Sequence, residues 1–414
     1  MEPSQKSPYL AVLGAALSAN KGAASMLLAL VDHIDEILPG GQVLNLSTYP
    51  ERDREVNRSK RLEITSYTPL AMLLVNFPLA LLIWLSRLLG MRGHVFARTR
   101  ALRSMTGAAV VADLAGISFS DGRGMPTLIY NTLMTGIPLL LGVPVVKCSQ
   151  AVGPFGQLPT RTAARMVLPR LQAIVARGEG THHHLLDLGL NNVVEGADLA
   201  FSMEVTAEDE AVAAELVESL GNRSYFVVSA SSVVQELCST EGIDYAALMV
   251  EVIEKLAEET NLIPVLIAHS ARPGQDAGRM NDLPVTREIA ARSAKTTGVV
   301  ALDQDLDPRV LRAIISGGRF LLTSRFHAMI SGLATATPTV VVGWSHKYRE
   351  VMKEFGLDRF VLPFSRLSAD SVVELGVEAN TSRGSITGAI EAELPRMKES
   401  SRVSFRALRG AIDG

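Results

Sequence analysis

Short, wholly apolar runs that alternate with helical segments, set twice over along the chain, constrain the fold more than any other feature. In the first half "YLAVLG" (9–14), "QVLNLS" (42–47), "AAVVAD" (108–113), "VPVVKCS" (143–149) and "NVVEGAD" (192–198) read as strands, separated by helical patterns such as "GAASMLLALVDHIDEIL" and "RTAARMVLPRLQAIVARGE". The second half repeats this with "SYFVVSA" (224–230), "LIPVLIAHS" (262–270), "GVVAL" (298–302), "RFLLTS" (319–324) and "PTVVVGW" (338–344). Strands without a polar face need cover on both sides, and alternating helices supply it, so each set predicts a parallel sheet in a Rossmann-like α/β domain. At 414 residues the chain exceeds what one core fills, and two domains are expected. The acidic stretch "TAEDEAVAAELVESLGNRS" separates the sets. This places an N-terminal domain at 1–204, a C-terminal domain at 205–375 and a helical segment at 376–414, whose helix is expected to cross back onto the first domain.

A formal charge of −3 carries no basic footprint, which argues against nucleic acid as a partner. Only Cys148 and Cys238 occur, far apart in sequence, so a disulfide framework is not expected and a reducing cytoplasm fits. The apolar start flows into a strand and glycine pattern rather than a cleavage site, and no leader is expected.

The segment 66–103 departs from the alternation. Pro69 to Ser86 is 18 residues without a charge, "PLAMLLVNFPLALLIWLS", near the lower limit for spanning a bilayer. A span would put the first strands across the membrane from the sheet they join. From Ile64 to Ala112 there is no Asp or Glu, whereas Arg87, Arg92, Arg98, Arg100 and Arg103 follow the apolar run. That pairing suits an interfacial helix facing anionic lipid. It also suits a helix hairpin broken at Pro78, buried or used between copies in a homo-oligomer, and the sequence leaves these readings open.

Ligands of open parallel sheets collect past the carboxyl ends of strands. Thr323, Ser324, Arg325 and His327 follow one predicted strand, and Trp344, Ser345, His346 and Lys347 follow another. Arginine offers a planar fork, lysine a point charge and histidine a group that titrates near neutrality, a set suited to a small polyanion. A helix starting near Arg325 would add its N-terminal amides. In the first half, "SQAVGPFG" and "LGAALSANKGAASM" are loops that can bring backbone to a ligand, with Asn20, Lys21 and Gly22 at a helix start. Neither is a dinucleotide or P-loop glycine motif. His182, His183 and His184 are consecutive, so on a helix they splay apart and do not converge on a metal.

Together, "VVADLAGISFSDG", "SQAVGPFG", "VARGEGTHHHLLDLGL", "GADLAF", "LIAHS" and "TSRFHAMISGLATATPTVVVGWSHKY" resemble, in order, the motifs of the polysaccharide pyruvyl transferase family. The resemblance implies a fold similar to the GT-B glycosyltransferases, two Rossmann-like domains facing a cleft. It also implies transfer of the pyruvyl carbons of phosphoenolpyruvate to two hydroxyls of a sugar, in a polysaccharide or lipid-linked glycan precursor, with no cofactor. By motif, Arg177, Arg325, His327 and Lys347 are the expected phosphoenolpyruvate residues, with His327 and Arg325 catalytic and His327 the general acid/base. Asn20, Gly22, Asp121, Ser149, Gln150, Gly153, His269 and Ser270 are expected on the acceptor side or lining the cleft. Two departures stand out: Ala23 where the family's first loop often has Asp, and an acidic pair thinned to Asp276 and Asp282. The competing reading is a GT-B glycosyltransferase that uses a nucleotide sugar. Against it, no paired carboxylates for a ribose follow the strand at 319–324.

Overall fold

The computed structural model describes residues 7–91, 96–272, 281–293 and 298–414. Its strands form two sheets, and every pairing between the named strands is parallel. The first holds β1 (Tyr9–Leu13), β2 (Gln42–Ser47), β3 (Leu62–Ser66), β4 (Val111–Asp113), β5 (Ile117–Ser118), β6 (Val145–Val152), β7 (Ala173–Arg177) and β8 (Val193–Gly196), in the order β3-β2-β1-β4-β6-β7-β8 with β5 beside β6. The second holds β9 (Tyr225–Ser229), β10 (Ile263–Ile267), β11 (Val300–Leu302), β12 (Leu321–Thr323), β13 (Thr339–Gly343) and β14 (Val361–Pro363), ordered β11-β10-β9-β12-β13-β14. In both, the chain works outward from a central strand and then jumps back across it. That reversal marks the doubly wound fold, and it leaves a crevice at the switch, β1/β4 in one sheet and β9/β12 in the other.

Two compact units contain these sheets. The first comprises Met1–Leu17, Ala23–Met203 and Glu399–Gly414; the second comprises Ser18–Gly22 and Glu204–Lys398. The last helix, Val403–Asp413, buries Phe405 and Leu408 and packs along β6, β7 and β8, so the C-terminus does return to the first unit. Hydroxyls pin it there: Ser404 meets Ser149 at 3.0 Å, and Ser400 accepts the Ala197 amide at 3.0 Å.

Each run that reads as a strand contains one, and β3, β5, β7 and β14 are strands beyond those runs. The apolar pattern of "RTAARMVLPRLQAIVARGE" carries a helix straight through Pro169. In the structure the helix Leu158–Val167 closes in a short turn at Leu168–Arg170, and "AIVAR" leaves it as β7. Proline lacks the N–H and clashes with the preceding turn, so the helix stops where the apolar pattern alone would carry it on. Pro78 has the opposite outcome. Helix continues from Pro69 to Leu88 without a hairpin, because the widened turn at Met72–Asn76, directly before Pro78, accommodates the proline ring and its missing N–H inside the run.

Candidate functional site

The carboxyl ends of β10, β9, β12 and β13 lie side by side at the switch of the second sheet, and most of the predicted site residues of that half gather there. Arg325 follows β12 in extended conformation and precedes the helix Phe326–Ala334, whose first amides therefore open toward the strand ends. Its backbone N–H donates to Thr323 Oγ1 at 2.9 Å. Its guanidinium is held edge-on by Asp282: Nε donates to Oδ2 at 2.7 Å, and one Nη donates both to Oδ1 and, at 3.1 Å, to Ser232 Oγ past the end of β9. Asp282 is fully buried and also accepts the Ser232 amide at 3.0 Å, while Ser270 O, past β10, accepts the Asp282 amide at 2.7 Å. Three strand ends thus fix one planar fork. Removing either charge would strand the other in low dielectric, at a cost of about 3–5 kcal/mol. From the other side, Tyr348 donates to Ser324 O and Tyr245 meets Ser324 Oγ, both at 3.0 Å, which sets the backbone just before Arg325.

His327 stands in the first turn of that helix, and Gly22 determines how its ring sits. A Cβ on Gly22 would overlap His327 Nδ1, so only glycine allows the backbone this near the imidazole. Asn20 holds the segment by accepting the Gly22 amide at 2.9 Å and bridging to Ser270. Lys21 between them is buried and ion-paired with Asp305, so its charge is committed within the fold rather than offered to an anion. His269 is buried near His327 and Arg325. Burial first, then the charge of those two neighbours, pushes its pKa down to about 3, so it stays a neutral ring. Its Nε2 has no hydrogen-bond partner among the described residues.

Lys347 lies in the first turn of the helix His346–Glu354, which follows β13, and its amide donates to the Ser345 capping hydroxyl at 3.4 Å. It is half-buried, whereas His346 is exposed and turned toward Glu350 at 3.9 Å. Adjacent β12 and β13 therefore present Arg325 and His327 on one helix start and Lys347 on the next.

The residues predicted in the first half, past the Asn20–Gly22 segment, fall in the first unit and split by role. Arg177 ends β7, with its guanidinium donating to Asp198 Oδ2 at 2.6 Å and to Gly116 O at 3.0 Å. Ser149 and Gln150 do not line an open surface: both are fully buried. β6 shifts register between Lys147 and Gln150, with Ser149 at φ 48°, and this irregularity turns both flanking side chains toward Asp113. Lys147 Nζ meets Asp113 Oδ2 at 2.5 Å, Gln150 Nε2 donates to Asp113 Oδ1 at 2.7 Å, and Ser118 Oγ donates to Gln150 Oε1 at 2.7 Å. Ser149 Oγ donates to Ala197 O at 2.8 Å. Asp121 acts locally, accepting the Gly156 and Gln157 amides at 2.6 and 3.1 Å. Gly153 makes room for His184, whose Cβ would lie 2.9 Å from a Cβ at 153. His183 Nδ1 is 3.0 Å from Glu179 O, one turn back on its own helix, whereas His184 packs against Gly153.

Sequence reasoning does not single out Asp282, Ser232 and Tyr348 for the positions they hold around Arg325. The available signal is placement: Ser232 and Tyr348 follow strands of the same sheet, as Arg325 does, and Asp282 closes the loop after "LIAHS". Asp276 and Arg92 lie outside the described residues.

The polysaccharide pyruvyl transferase family model matches residues 20–346. No curated protein matches the chain. Among solved structures, the chain is similar to a UDP-GlcNAc 2-epimerase from Neisseria meningitidis bound to UDP-GlcNAc (TM-score 0.59, 13% identity, 97% of this chain and 99% of that one). It is also similar to a trehalose-6-phosphate structure from E. coli bound with UDP-2-fluoro glucose (TM-score 0.54, 14% identity, 97% and 99%). A UDP-GlcNAc 2-epimerase from Methanocaldococcus jannaschii gives a TM-score of 0.54 at 11% identity over 90% and 91%. At such identities these likenesses speak for the fold, that of GT-B-like proteins with two parallel α/β sheets. With the family model spanning both sheets, from Asn20 beside Gly22 to His346 beside Lys347, the chain belongs to the polysaccharide pyruvyl transferase family, a family of enzymes.

Proposed function

We propose that the protein converts phosphoenolpyruvate and a sugar diol of a polysaccharide or lipid-linked glycan precursor into a pyruvate ketal and inorganic phosphate, in the cytoplasm. The observation that carries this reading is the pairing of two helix starts at the ends of adjacent strands β12 and β13, one bearing Arg325 and His327 and the other Lys347. Phosphoenolpyruvate carries a phosphate and a carboxylate, and cations beside helix N-terminal amides match such a compact anion.

In this reading His327 delivers a proton to the methylene carbon, and a sugar hydroxyl bonds to the central carbon as it loses its own proton. The C–O bond to phosphate then breaks, with Arg325 and Lys347 offsetting charge on the departing group. A second hydroxyl closes the ketal on the same carbon and also gives up a proton. Two hydroxyl protons are released; one balances that taken by the methyl group, and the other leaves with hydrogen phosphate. The Asp282 clamp gives Arg325 a fixed orientation. His269, neutral beside the histidine, keeps a further positive charge out of the site. The family motif also assigns phosphoenolpyruvate binding to Arg177, and its substitution by alanine tests that assignment.

The deciding measurement is a thermal-shift titration with phosphoenolpyruvate beside UDP- and GDP-sugars. Stabilisation by phosphoenolpyruvate is expected, about tenfold weaker in apparent affinity for Lys347→Ala. Stabilisation by a nucleotide sugar alone would move the protein to the glycosyltransferases and void the acid/base role of His327.

A further inference from the structure

Among the described residues, exposed large apolar side chains gather on one face of the first unit. The helical run Pro69–Leu88 turns a stripe inward, where Met72, Ala80 and Ile83 join the core and Asn76 accepts a hydrogen bond from Thr99 Oγ1 at 2.7 Å. Its remaining circumference stays apolar in solvent: Leu70 is 68% exposed, Leu74 62% and Leu88 65%, with Trp84 and Leu85 between them. The neighbouring helix Gly124–Leu140 adds Met125 and Ile129. Contiguous apolar surface on this scale marks a binding face.

The charges beside it identify the partner. Arg87 stands at the end of the run, donating to Leu141 O, and the Thr99 bond to Asn76 sets Arg98 and Arg100 beside its middle. Arg98, Arg100 and Arg103 are exposed, and among the described residues only Arg100 of the three is matched by a carboxylate, that of Glu63 just before the acid-free stretch. A second copy docked about a two-fold axis would bring like charges together, whereas a surface of lipid phosphates complements them. Trp84, half-exposed among leucines, is the residue type that settles at the headgroup level. The run is long and apolar enough to cross a membrane by length and composition. Its inward stripe is nonetheless part of the unit's core, which a lipid-surrounded helix cannot keep.

We propose that this face seats the protein on an anionic lipid bilayer, with the run Pro69–Leu88 lying in the plane of the interface and its outer leucines in the acyl boundary. The test is co-sedimentation of the full chain with vesicles of phosphatidylcholine alone or with about one third phosphatidylglycerol, at low and at about 0.5 M salt. Roughly tenfold more protein is expected on the anionic vesicles at low salt, released by the high salt. The pair Leu74→Glu and Leu85→Glu should abolish binding, and the pair Arg98→Gln and Arg103→Gln should remove its preference for anionic lipid. Neither pair should change the melting temperature, since all four side chains are exposed. Wild-type protein left in the supernatant, or bound equally to neutral vesicles, overturns the proposal. So does a concentration-dependent dimer that the glutamate pair dissolves, which would make a second copy the occupant. Retention through an alkaline carbonate wash would overturn it too, by showing a span instead.

Discussion

The two sheets share a strand order around the switch, and each unit holds a cation–carboxylate pair, within strands β4 and β6 in the first and past the strand ends in the second, yet the pairs differ in what they leave open. In the first unit Lys147 and Asp113 are wholly enclosed, and Gln150, Ser118 and Thr135 complete the network around them. In the second, Asp282 is enclosed, but Arg325 keeps 12% of its side chain exposed and has a histidine two residues on. A buried pair with its polar partners supplied by the protein is a staple. A pair left partly open, among helix N-termini and beside an imidazole, can still respond to a ligand. Exposure, rather than residue type, separates the two pairs.

The widest gap between them is expected in turnover. His327→Ala should lower the rate of phosphate release from phosphoenolpyruvate by about 10²–10⁴-fold, with only a few degrees lost in melting temperature. A wild-type rate in that variant would take the imidazole out of the chemistry and leave the second pair as much a staple as the first. Next comes stability. Lys147→Met leaves the Asp113 carboxylate buried without its cation and should cost about 3–5 kcal/mol in urea unfolding, with the phosphoenolpyruvate response kept by the molecules that fold. Adding Asp113→Asn should recover part of the loss; a variant that stays stable yet no longer responds to phosphoenolpyruvate would erase the distinction.

The smallest effect is a dependence on pH. His269 in the folded protein is pushed down to about 3, below the roughly 6.5 of an unfolded chain, so between these values the unfolded state holds the extra proton. Its contribution is complete above the unfolded pKa and is lost as pH falls through that window, about 2 kcal/mol between pH 7 and pH 5. His269→Asn should flatten that slope in thermal unfolding; an unchanged slope would mean that other groups set the acid response.

Much of this is legible in the chain. Continuous apolar runs point to parallel sheets whatever lies between them, and Arg325, His327 and Lys347 just past such runs do fall at the carboxyl ends of neighbouring strands. Pairing is not legible. Asp282 lies 43 residues from Arg325, in a loop without regular structure, and nothing local assigns one to the other. Ser149 and Gln150 look like loop residues past a strand, because the irregularity that folds them inward is a backbone event at Ser149 with no residue signature of its own. Gly22 stands out in sequence for nearness to an anion; its use is to admit a ring.

That last feature makes position 22 an inconspicuous point of failure. Any residue larger than glycine forces the imidazole to move while leaving the identity of every charged and polar residue around it unchanged. An inactive allele mapping there would look conservative on paper and pass a screen for expression and solubility. Its origin would show only in a probe of the histidine itself, such as the shift of its ring resonances.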